Sequence, residues 1–226
     1  MAKKKADSAS SVRAKLKELT KATGWSPSGL RGLLAPVKGR GKGGDFERDM
    51  SRAFSKWWTN GERDDIFWRT GGSGGRATAR SRSGKHTAGQ YGDIAATDPL
   101  GVPLIEWVTI ELKRGYTEAH IGDVFDRLRV SKSSQLIEFF KQARNSHEHA
   151  GSDAWMVVHA RDRRNPMVWM PGKALVQISL SDLGDVGSLM PQLRYDDGEG
   201  LRVVGFPLSV FFDQIDPQAI RERYHA

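Results

Sequence analysis

Apolar residues recur along the chain in two spacings, and together they predict a layered α/β domain. Phe46, Met50, Ala53, Phe54, Trp57 and Trp58 follow the i, i+4, i+7, i+8 stripe of one buried helix face, with Asp45 as cap and Asn60-Gly61 as stop. Glu47 stands at the edge of that stripe. Strand-like runs follow at Asp65 to Arg69, Val108 to Lys113, Ala154 to Ala160 and Pro166 to Met170, the last two forming a hairpin around the polar turn Arg161 to Asn165. Helical spacing returns from Thr117 through Leu128, and again after Ser133 or Ser134 through Leu136, Ile137, Phe140 and Ala143. A weaker strand over Leu201 to Val204, a short helix over Leu208 to Phe212 and a terminal helix opened by Asp216-Pro217 complete the pattern.

Charge divides this chain of 226 residues unevenly. Residues 1–44 hold eleven Lys/Arg against two acids, whereas the other 182 positions hold 24 against 25. The net charge of +8 therefore comes from an N-terminal arm, and basicity so placed suits a polyanion such as nucleic acid. Within the arm, Ser11 to Thr23 and Trp25 to Arg31 read as short helical pieces, with an arm that orders on nucleic acid favoured over a small DNA-binding module. Lys38, Arg40 and Lys42 punctuate a glycine-rich linker. Residues 45–226 are expected to form one folded domain, with a core over about 45–172 and an extension over 173–226.

Several classes fall away. The chain has no cysteine, which excludes disulfides, thiolate zinc sites and a cysteine nucleophile. It has no apolar run long enough to cross a bilayer, so no membrane partner is expected and a cytoplasmic location is, including that of a phage-encoded protein in a bacterial host. The segment Thr70-Gly71-Gly72-Ser73-Gly74-Gly75 lacks the Gly-Lys-Ser/Thr ending of a Walker loop. It opens a stretch, Arg69 to Gly92, with five cations (Arg69, Arg76, Arg80, Arg82 and Lys85) and no acid, the make-up of a flap that meets phosphates. His147 and His149, two apart on a predicted helix, point to different faces and read as solvated helix-end residues, and His159 reads as a strand histidine with a local hydrogen bond.

What remains is a concentration of charge on strands. Read as neighbouring strands, Tyr91 to Ala96 and Val108 to Lys113 bring Asp93 and Glu111 to one end of a sheet, and period-two alternation puts Glu111 and Lys113 on one face. Two acids beside an ammonium are the minimum equipment for holding a hard divalent cation and activating water next to a phosphodiester. Chance placement gives roughly 1.7 Asp/Glu-x-Lys tripeptides in such a composition, so the context carries the signal. The order here is a helix with Glu47, a strand ending in Arg69, a strand start at Gly92-Asp93-Ile94, a strand with Glu111-Leu112-Lys113, and a helix opening on Ser134-Gln135-Leu136.

In that order the chain resembles the PD-(D/E)xK nuclease superfamily, most of all the archaeal-type Holliday-junction resolvases and related phage enzymes. The likeness covers about Gly44 to Met170. It implies a restriction-endonuclease-like fold, a mixed central β-sheet flanked by helices. It further implies metal ligands at Glu47, Asp93 and Glu111, a catalytic Lys113, and supporting roles for Arg69, Ser73 and Gln135. Mg²⁺ is the implied cofactor, with Mn²⁺ as substitute, and the implied partner is branched DNA. A homodimer is the expected assembly. Two departures stand out: the segment between Ser73 and Asp93 is long, and the turn between Asp93 and Glu111 is wide. Three classes thus stay open: a metal-dependent DNA endonuclease, acting on Holliday junctions or on other DNA in restriction or repair; a nuclease fold that only binds DNA; and a basic RNA-binding protein. The third would present stacking aromatics on an exposed sheet, and the aromatics here sit at core spacing.

Overall fold

The computed structural model describes residues 42–70, 91–116, 134–162, 164–179, 193–196 and 202–224. In chain order these form α1 (Lys42–Trp58), β1 (Phe67–Arg69), β2 (Ile94–Ala96), a 3-10 turn (Pro99–Gly101), α2 (Val102–Trp107), β3 (Val108–Arg114), α3 (Gln135–Ala150), β4 (Ala154–Ala160), β5 (Met167–Pro171), α4 (Gly172–Ser179), β6 (Leu193–Asp196), β7 (Arg202–Pro207), α5 (Leu208–Gln214) and α6 (Pro217–Tyr224). The helix expected over Thr117 to Leu128, the flap and the basic arm up to Gly41 lie outside the described residues.

Five strands make one mixed sheet in the order β3-β4-β5-β7-β6; β3 and β4 run parallel and the other neighbours antiparallel. The mixed α/β architecture flanked by helices is the one the resemblance implies. Alternation along β3 separates two layers. Ile110 and Leu112 join Met156, Val158, Val168 and Phe206 in a large core built on α1, α2, α5 and α6. On the opposite face Trp155, Val157 and Trp169 pack under Leu136, Phe139, Phe140 and Ala143 of α3. Glu111 and Lys113, alternating with Ile110 and Leu112, belong to the face that α3 covers.

The apolar stripe of α1 behaves as its spacing predicts: Phe46, Met50, Ala53, Phe54, Trp57 and Trp58 are all buried. Its indoles also make long-range bonds. Trp57 Nε1 donates to the carbonyl of Ile215 at 3.1 Å, and Trp58 Nε1 to that of Leu100 at 2.8 Å. Buried Ser55 receives the backbone N–H of Phe67 on its Oγ at 2.9 Å, tying β1 to the helix.

Three expectations need correction. The first helix starts at Lys42 and not after Asp45, which lies within its first turn. Gly43-Gly44, read as linker, are helical, and a Cβ on Gly44 would stand 2.6 Å from Arg69 Nη1, so a residue without a side chain lets that guanidinium lie against the helix. The strand expected from Asp65 is only Phe67–Arg69, because Thr97 takes Ile66 and Asp65 by their carbonyls before the β1–β2 pairing begins. Most relevant to the site, β2 does not pair with β3 as a neighbouring strand: it pairs with β1 in a separate two-stranded sheet.

Candidate active site

β3 is the edge strand of the large sheet, and Asp93 docks on its outer edge. The backbone N–H of Asp93 donates to the carbonyl of Ile110 at 2.8 Å, and Asp93 Oδ2 accepts the N–H of Leu112 at 2.7 Å. These two bonds bracket Glu111. Asp93 is therefore held beside Glu111 by its own main chain and side chain, although its strand belongs to another sheet. Gly92 makes the approach possible. Its φ is +77°, a Cβ there would meet the Ile110 carbonyl oxygen at 2.7 Å, and its own carbonyl receives Thr70 Oγ1 at 2.8 Å. Gly92→Ala should lower stability by about 1–3 kcal/mol through strain and backbone displacement. Chemical denaturation measures the loss, and cleavage should fall with it as Asp93 leaves its seat.

Asp93, Glu111 and Lys113 are all buried, at 6%, 3% and 9% exposure, and burial gives the cluster its electrostatics. Desolvation pushes the Asp93 carboxyl up to about 7, helped by the charges of Glu111 and Glu47 and opposed by Lys113 and the Leu112 hydrogen bond. Lys113 Nζ donates to Glu111 Oε2 at 2.8 Å, a buried ion pair between residues two apart on one strand face. Glu47, reaching from α1, has Oε2 3.6 Å from Arg69 Nε. Arg69, expected among the phosphate-binding cations, thus also stands as a partner of a site carboxylate.

The donor set suits a hard divalent cation. Carboxylate oxygens are its preferred ligands, and a dication beside Asp93 would offset the cost of burial and the repulsion from Glu111 that raise this carboxyl. Asp93, Glu111 and Glu47 could hold it. As arranged here, no three His, Asp or Glu side chains among the described residues converge to ligand distance. Glu111 instead turns its oxygens to Lys113 and to α3.

The model of one protein family, described as "Phage putative PDDEXK endonuclease", matches residues 38–222 of this sequence, which takes in all the described structure from α1 through most of α6. The chain belongs to this family. No curated protein and no solved structure matches it. The matched range takes in Asp93, Glu111 and Lys113, the acids and lysine that the resemblance implies.

Among the other residues expected in the site, Ser73, Arg76, Arg80, Arg82, Lys85, Lys38 and Arg40 lie outside the described residues. Lys42 opens α1. Gln135 stands at the start of α3 as its exposed first residue, and the glutamine that reaches the carboxylates is Gln142, whose Nε2 donates to Glu111 Oε2 at 3.2 Å. Ser146 Oγ donates to Glu111 Oε1 at 2.8 Å. The sequence carried a partial signal for both, since Gln135, Gln142 and Ser146 fall on one stripe of α3 at i, i+7 and i+11. Only tertiary packing says which turn of that stripe meets β3.

The described histidines, His147, His149 and His159, make their bonds outside the cluster. His147 Nδ1 bonds the carbonyl of Ser152 at 3.0 Å, and His149 Nδ1 bonds that of Asn145 at 2.7 Å while its ring stacks on Tyr91. His159 is buried edge-on against Phe139, and burial, with the Arg161 charge, lowers its pKa to about 4 against a backbone hydrogen bond to Tyr116. It is neutral at physiological pH.

Proposed function

We propose that the chain is a metal-dependent DNA endonuclease that hydrolyses phosphodiesters with metal-activated water and favours branched DNA such as Holliday junctions. One observation carries the chemical part of this reading. Asp93 is fastened on either side of Glu111, in a buried cluster with Lys113, within a family of endonucleases. A protein that only binds DNA has no use for buried acids that repel phosphate. Preference for branched DNA rests on the likeness to junction resolvases in the order of Glu47, Asp93, Glu111 and Lys113.

Asp93, Glu111 and Glu47 would hold the cation, which when bound supplies Lewis-acid chemistry at a water and at the phosphoryl oxygens. The chain's own residues do the rest. Lys113 offers its ammonium to charge that develops on the phosphoryl group, in a site where burial strengthens the interaction. Arg69 steadies Glu47 against the strand end. Ile110 and Leu112, anchored in the main core, keep the intervening Glu111 from sliding along the strand. In-line attack leaves a 5′-phosphate and a 3′-hydroxyl, as the resemblance implies.

The deciding experiment compares four-way junction, flap, nicked and linear duplex DNA with Mg²⁺, Mn²⁺ and EDTA. Cleavage of the junction ahead of the duplex, abolished by EDTA, is expected. Tight binding with every substrate left uncut under both cations would overturn the endonuclease reading, and equal cutting of all four would overturn the branched preference.

The basic arm supplies affinity in this scheme. Deleting residues 1–41 removes ten Lys/Arg and two acids, so binding should weaken. The slope of log K against log salt should become shallower, on the order of 0.9 for each phosphate that the arm no longer neutralises. Binding isotherms at several salt concentrations measure it. An unchanged slope would mean that the arm does not touch DNA.

A further inference from the structure

Glu111 is unusually well supplied with donors for a residue proposed to bind a cation. Oε1 accepts from Ser146 Oγ at 2.8 Å; Oε2 accepts from Lys113 Nζ at 2.8 Å and Gln142 Nε2 at 3.2 Å. An ionised carboxylate offers about four lone-pair sites. Three are therefore filled by the protein, in a side chain only 4% exposed. Lys113 comes from the same strand, whereas Gln142 and Ser146 come from α3, one turn apart at i and i+4.

The serine bond is not the default for its position. A helical serine or threonine commonly returns its hydroxyl to the carbonyl four residues back. On α1 this chain does so three times in succession: Ser51 to Glu47, Ser55 to Ser51 and Thr59 to Ser55, each at 2.8 Å. Ser146 sends its hydroxyl across to β3 instead. Gln142 likewise extends from an exposed position on the helix to reach a carboxylate on a buried strand.

We infer that Gln142 and Ser146 are positioning residues that hold the Glu111 carboxylate in the pose from which it receives the cation. This rests on the metal-dependent reading above and adds to it a part for α3. Ser146 fixes Oε1, so rotation about the carboxylate is stopped from one side. Gln142 shares Oε2 with Lys113 and keeps that oxygen turned toward the strand end while the fourth lone-pair site stays available. Glu111 is thereby held in one orientation before any cation arrives, and only the other ligands have to close on it. Partners of this kind around a metal ligand typically change affinity or activity by about 10–100-fold when removed.

The test uses the full chain as wild type, Ser146→Ala, Ser146→Thr, Gln142→Ala and, as control, Lys141→Ala, which alters an exposed lysine paired with Glu138 on the same helix. Two readouts are taken: the shift of the thermal midpoint on titrating Mn²⁺ without DNA, and the Mn²⁺ concentration giving half-maximal cleavage of a four-way junction. Ser146→Ala and Gln142→Ala should each raise both half-saturation concentrations about 10-fold or more. Ser146→Thr, which keeps the hydroxyl, should restore most of the loss, and Lys141→Ala should match wild type. Should Ser146→Ala fail to fold, Gln142→Ala decides, because its site is exposed and alanine favours helix. Half-saturation unchanged in Gln142→Ala and in a folded Ser146→Ala, against a wild type that cuts, overturns this inference alone. A wild type that neither cuts nor responds to Mn²⁺ overturns the nuclease reading and this inference with it.

Discussion

Lys113→Ala should cut at least about 100-fold more slowly than wild type under single-turnover conditions, the scale of losing one charge interaction in a transition state. The ammonium is buried, 2.8 Å from Glu111 Oε2. Truncation leaves Glu111 with its two donors from α3, so the carboxylate stays placed while the positive charge is gone. DNA affinity measured without metal should change little, since Lys113 is too enclosed to meet phosphate at long range. A variant that cuts at the wild-type rate would remove Lys113 from the chemistry and leave it a structural counter-ion of Glu111.

Asp93→Asn should abolish cutting and, in the absence of metal, stabilise the fold at neutral pH. The sign follows from the direction of the shift. Burial and the neighbouring acids raise the Asp93 carboxyl from 3.8 to about 7, so the folded chain takes up a proton that the unfolded chain has already lost across that window. The contribution is fully present below 3.8 and disappears as pH rises through about 7. Metal-free wild type should therefore lose stability between these limits, where Asp93→Asn, uncharged throughout and still able to accept the Leu112 N–H, should lose less. Denaturation midpoints at a series of pH values with EDTA read this out. Identical pH slopes for the two proteins would show that Asp93 titrates as an ordinary acid.

What the sequence made legible was whatever local periodicity records. The stripe of α1, the alternation of β3 and the hairpin of β4 and β5 are set by side-chain spacing, and they appear where that spacing puts them. The pairing of Glu111 with Lys113 was legible for the same reason, as a two-residue repeat on one strand face. Asp93 was recognisable as a member of the cluster, but its mode of attachment was not. Strand β2 pairs with β1, and only a main-chain bond and a side-chain bond at residue 93 cross to β3, an arrangement that alternation along either strand does not encode. The choice of Gln142 over Gln135 depends on how far α3 slides along the sheet. Helical periodicity is blind to that translation, because a shift by two turns leaves every residue on its original face. Likewise the approach of Arg69 to Gly44, 25 positions away, is a tertiary contact that local spacing does not record.

The indole bond from Trp57 to Ile215 has a consequence for timing. Helix α1 carries Glu47, yet its aromatic face is completed by Phe211 and Phe212 of α5, by the Ile215 carbonyl and by Arg221 of α6, whose guanidinium lies over Trp58. Ribosomes deliver these partners more than 150 residues after the helix they hold. While the chain is still being made, α1 lacks the far wall of its own core, and pairings of such large separation are the slowest to form. Glu47 is thus the first of the site's acids to be translated, while the side chains that complete the core of its helix are among the last, so a half-synthesised chain carries the acids without the wall that seats α1.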